Sequence, residues 1–183
     1  MQAAYERLAR SHLSRHTSGY AAAQHRFDSM YERENLTWDL LVKCFNDLDT
    51  LVFQSDFRNR IVLKWVDIRT TDNEGAFAYT EPPANESTGR VSIRMGSNIN
   101  RAALEPDYAL GVLLHEMIHA YFFIWSRDAA IEQSWDPRAD PWHGLTFLKA
   151  AGKVGRQFGL KIEGGSMGDA LATHGYTSPY LDR

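Results

Sequence analysis

Cysteine is nearly missing: Cys44 is the one thiol in 183 residues. A single thiol forms no internal disulfide and cannot furnish a zinc ribbon or a Cys-rich finger. An excess of either charge is missing too. Twenty basic residues face 23 acidic ones, for a net charge of −3, which exerts no global pull on nucleic acid or an anionic membrane. No stretch approaches 18 uncharged apolar residues, so no membrane span is expected. The N-terminus, Met1-Gln-Ala-Ala-Tyr-Glu-Arg7, carries charge where a signal peptide needs an apolar core. An intracellular location is therefore expected, where the sequons at Asn35 and Asn85 meet no glycosylation machinery. Internal repeats and low-complexity blocks are also lacking.

What remains is ordinary globular material, 44% apolar and 23% charged. A domain of about 150 residues buries roughly 70% of its unfolded surface, so this chain can build a core without staples. Residues 1–33 read as a peripheral, partly helical lead-in with five Arg against three acids. From Glu34 to Phe53, Leu36, Leu40, Cys44, Leu48 and Leu51 recur at helical spacing, which places Cys44 in a buried stripe as an inert thiol. Ile61–Ile68 is rich in β-branched and aromatic residues, Thr71–Gly75 is a turn signal, and Ala76–Thr80 reads as a short strand. Arg90–Met95 alternates, with Val91, Ile93 and Met95 on one face. A long helix is expected from Pro106 to Trp125 and a last one from His143 to Phe158, ended by Gly159. Residues 161–183 read as an irregular tail.

The helix expected over 106–125 is apolar nearly all round, so it belongs in the middle of a core. Yet its centre holds His115, Glu116 and His119. Burying three such groups without partners costs several kcal/mol, on the order of a domain's net stability. His115-Glu-Met-Ile-His119 is an HExxH pattern. Residues i and i+4 lie about 40° apart around a helix, so both imidazoles reach one spot and can grip one Zn²⁺. Glu116 is placed to take a proton from a water on that metal. Roughly 0.014 matches are expected by chance in such a chain.

A catalytic zinc wants a third protein ligand. Phe122 and Trp125 stand where the extended metzincin motif needs Gly and His. His143, in Pro141-Trp-His-Gly144, is the best candidate, since a helix–loop–helix return can bring it back. Asp128, Glu132, Asp136, Asp140, Glu163, Asp169 and His174 compete with it. His12 and His16 also stand at i, i+4, but without a companion Glu they read as a solvated face. Lys149, Lys153 and Arg156 share a face of the last helix that also reads as solvated.

The segment His115-Glu-Met-Ile-His-Ala-Tyr121, followed by His143-Gly-x-x-Phe147, resembles the SprT-like metalloprotease domain found in Spartan proteases. The resemblance covers residues 34–160, leaving 1–33 as lead-in and 161–183 as tail. It implies an α+β, zincin-like fold: a small, mostly antiparallel sheet packed on helices, with a central HExxH active-site helix. It implies a zinc endopeptidase with His115, His119 and His143 on the metal and Glu116 as catalytic base. In zincins the strand before that helix commonly binds substrate as an added strand, a role expected here for Val91–Met95. Cleavage of proteins crosslinked to DNA is the family's best-marked task. It implies weak DNA contact and a nuclear setting, with local positive charge available at Arg58-Asn-Arg60, in the N-terminal segment and on the last helix. Two alternatives stand beside it: a zincin with a specific peptide substrate and no DNA link, and a DNA-associated adaptor with a structural zinc site. His143 follows His119 by 24 positions, longer than expected for Spartan, and 129–140 is a candidate insertion.

Overall fold

The computed structural model describes residues 2–10, 18–31, 37–67, 77–83, 89–97, 106–125, 145–160 and 162. These form helices α1 (Gln2–Arg10), α2 (Ser18–Tyr31) and α3 (Trp38–Phe53), strands β1 (Ile61–Val66), β2 (Ala78–Glu81) and β3 (Val91–Gly96), then helices α4 (Pro106–Trp125) and α5 (Leu145–Phe158). The class is α+β, as expected.

Helix α4 runs over the expected residues and is the hub, touching α1, α3, α5, β2 and β3. Leu113, Leu114, Met117 and Ile118 are fully buried, each stabilising the fold by about 1.5–3 kcal/mol. Over Tyr108–Trp125 the helix is also long and apolar enough to cross a membrane, which the sequence reading had not allowed. Here 67% of that window is buried inside the protein, as in the core helix of a soluble fold.

Helix α3 starts at Trp38 rather than Glu34. Thr37, itself extended, caps the helix, its hydroxyl accepting from the Leu40 N–H at 3.2 Å. At the other end Gln54, with φ of 58°, turns the chain left-handed, and its N–H bonds the Asp49 carbonyl. Asp49 Oδ1 then accepts from the Phe57 N–H at 3.2 Å. That turn delivers Phe57 into an aromatic group with Phe53 and Tyr121. Cys44 is buried in the expected stripe, and burial pushes its thiol up to about 12, with Asp47 adding to the shift. It is inert.

The sheet has the order β1-β3-β2. It is mixed, not mostly antiparallel: β3 pairs β1 in parallel over six residue pairs and β2 antiparallel over four. The chain leaves β1, enters the sheet again at the far edge as β2, and returns between the two as β3. Val91, Ile93 and Met95 are buried, and Ala78 and Thr80 share their face of the sheet through the register Ala78↔Met95 and Thr80↔Ile93.

The N-terminal helices join the core through Ala4, Leu8, Ala23 and Phe27. Arg26 pairs with buried Asp47 between α2 and α3. Arg7 grips Asp56 through both oxygens at 3.0 Å. Lys153 is not part of a solvated face: its Nζ donates to the Ala9 carbonyl at 3.1 Å, placing a cation on the negative end of α1. Gly159, at φ of 68°, stops α5 as expected.

Candidate metal centre

Helix α4 brings His115 and His119 one turn apart, and their Nε2 atoms converge to 3.0 Å. Two nitrogens on one tetrahedral zinc stand roughly 3.3 Å apart, from bonds of about 2.0–2.1 Å. His115 is buried and His119 half-buried. Phe147 of α5 holds both rings. It lies nearly parallel to His119, centroids 4.3 Å apart at 24°, and tilts against His115 at 4.8 Å. The two nitrogen donors sit on packed rings at hydrogen-bond distance, about 0.3 Å closer than on a shared tetrahedral zinc, and are of the type that metal takes.

Glu116, one residue on, projects to a different side of the helix, toward β2. Thr80 Oγ1 donates to Glu116 Oε2 at 2.6 Å and lies 3.1 Å from the Glu116 carbonyl oxygen. Burial pushes the Glu116 carboxyl up to about 7, and the Thr80 hydrogen bond opposes part of that rise. A carboxyl raised toward neutrality can serve in acid–base chemistry.

His143 lies outside the described residues, as do His12, His16, His174, the six competing acids and the candidate insertion at 129–140. Among the described residues no group of three His, Cys, Asp or Glu converges on a metal position. His115 and His119 are therefore brought together, Glu116 beside them in sequence turns toward β2, and the expected third ligand lies outside the described residues.

One expectation is corrected. Strand β3 cannot take up an added substrate strand, because β1 and β2 occupy both its edges. Strand β2 pairs on one side only among the described residues, and it is the strand that touches Glu116. Sequence reasoning also missed Thr80, which nothing in its local pattern marks. Phe147 stood in the quoted motif with no role attached.

At the far end of α4, Arg7 and Arg60 both lie over the Trp125 ring, 3.9 and 4.8 Å from its centroid. Burial and Asp56 push the Tyr121 phenol up to about 12, against the opposing effect of Arg7.

No protein-family model matches this chain, and a search of curated proteins finds no match. The likeness to the SprT-like domain stands on the motif residues themselves.

Proposed function

We propose that this chain is a zinc-dependent endopeptidase of SprT-like type with a zincin-like active site. His115, His119 and His143 would hold the metal, and Glu116 would serve as general base. The observation that carries this reading is the convergence of two imidazole nitrogens at 3.0 Å beside a buried carboxyl that a strand hydroxyl grips. His143 stands two residues before α5 in the sequence. Phe147, on the same helix, touches both imidazoles.

Bound there, zinc supplies Lewis acidity that polarises a peptide carbonyl and eases the ionisation of water. The chain does the rest. The edge of β2 that is unpaired among the described residues aligns an extended peptide by main-chain hydrogen bonds, which favours low sequence selectivity. Glu116 takes the proton of the attacking water and delivers it to the departing amine. Phe147 and the apolar surround of α4 keep the imidazoles oriented and dry.

Elemental analysis tests the metal: one zinc per chain is expected, and less in His143→Ala. Full retention in that variant moves the third ligand to an acid or to His174. Glu116→Gln should keep the zinc and lose about 10²–10⁴-fold in cleavage of a flexible protein. Equal cleavage by that variant refutes the mechanism. The adaptor reading fits less well, because a structural zinc site has no use for a buried base.

A link to DNA is favoured by one observation. Arg7 and Arg60, far apart in sequence, gather on Trp125, with Arg58 exposed beside Arg60 in sequence. A few such cations predict weak, salt-sensitive contact with single-stranded DNA. Equal cleavage with and without DNA at two salt concentrations, with no retention on DNA at low salt, would leave a plain peptidase.

A further inference from the structure

We propose that Thr80 is the positioning residue for Glu116, its hydroxyl aiming the carboxyl group for proton transfer. The inference rests on the zinc-peptidase reading above. The β2–β3 register turns Thr80 to the buried face of the sheet, opposite Ile93 and toward α4. There its Oγ1 lies 2.6 Å from Glu116 Oε2 and 3.1 Å from the carbonyl oxygen of the same residue. A threonine hydroxyl carries one hydrogen, and two oxygens of one residue lie within its reach. The short distance to Oε2 marks a charge-assisted bond.

This geometry does three things. It occupies Oε2, leaving Oε1 as the oxygen for the proton of the attacking water. It anchors the end of the Glu116 side chain to β2, which restricts the rotamers open to the carboxyl. It also couples the base to β2, a strand paired on one side only among the described residues, so that a peptide laid along its other edge meets a carboxyl already in place. Thr80 exchanges no proton with substrate. It acts through Glu116.

The test compares full-length wild type, Thr80→Val, Thr80→Ser and Glu116→Gln, each checked for zinc content, with fluorescein-labelled casein as substrate. Valine keeps the shape of threonine and removes the hydroxyl; serine keeps the hydroxyl. Thr80→Val is expected to hold its zinc and lose about 10–100-fold in kcat, with KM within about twofold. Thr80→Ser is expected to recover most of that loss. A readout free of activity accompanies it, the ¹³Cδ resonance of Glu116 in glutamate-labelled protein, assigned by its loss in Glu116→Gln. That resonance should move in Thr80→Val and stay near its wild-type position in Thr80→Ser. Val and Ser variants that behave alike in kcat, or an unmoved resonance in Thr80→Val, overturn the role of Thr80. A wild type without zinc or without cleavage, in which the resonance still moves, overturns the peptidase reading and with it the catalytic meaning of this bond.

Discussion

Asp49 shows how a single buried residue trades charge for architecture. Its main-chain carbonyl takes the N–H groups of Gln54 and Ser55, and its side chain takes that of Phe57. Burial pushes its carboxyl from 3.8 up to about 6, with Asp56 adding to the rise, while the Phe57 N–H and Arg58 oppose it. Below pH 3.8 both folded and unfolded chains hold the proton. Between 3.8 and about 6 only the folded chain does, so stability falls as pH rises through that window and then levels. The loss is on the order of 3 kcal/mol. Asp49→Asn keeps an oxygen for the Phe57 N–H and has no charge to bury. Urea melts at pH 4 and pH 8 should show wild type losing more stability than the variant between the two. Parallel changes in both would assign the pH response elsewhere.

Helix α5 contains two glycines whose substitution should act in opposite directions. A Cβ on Gly155 would lie 2.7 Å from the Leu160 carbonyl oxygen, where the chain folds back and the Leu160 N–H bonds the Gly155 carbonyl. Backbone cannot step aside cheaply, so Gly155→Ala should cost about 1–3 kcal/mol. At Gly152 a Cβ would meet only the Arg156 guanidinium at 3.6 Å. Gly152→Ala should therefore gain about 0.5–1 kcal/mol from helix propensity. Thermal melts of the two variants decide the matter; a loss in both would mean that the face carrying Gly152 is closer packed than these distances allow. At this scale the sequence was informative. The α4 boundaries followed from Pro106 and the apolar run, and Gly159 marked the end of α5. The start of α3 did not follow, because the apolar stripe begins at Leu36 while a hydrogen bond from Thr37 sets the helix end.

Across the whole molecule, the N-terminal helices are fastened by pairs that lie far apart in sequence. Lys153 reaches Ala9, Arg7 reaches Asp56, and Arg7 and Arg60 meet on Trp125. A test of DNA contact must avoid these fasteners. Lys149 and Arg156 are exposed on α5, and Lys149→Glu/Arg156→Glu should weaken single-stranded DNA retention at low salt. Lys153→Glu should instead lower the melting temperature, because it puts an anion at the negative end of α1. Unchanged DNA retention in the double variant would leave the Arg7–Arg60 patch as the contact. If Lys153→Glu melts like wild type, α1 is not held by that bond.

The α+β class, the central helix, and the two histidines and glutamate at its middle were legible in the sequence. Helical spacing is a local property, and a four-residue step along one helix fixes which side chains meet. Tertiary structure alone decided the strand order, the parallel pairing of β1 with β3, and the hydroxyl that grips Glu116 from 36 residues away. Those pairings depend on which faces the chain buries together. Alternation marks Thr80 as one face of a strand, but only the packing of β2 against α4 places a carboxyl opposite it.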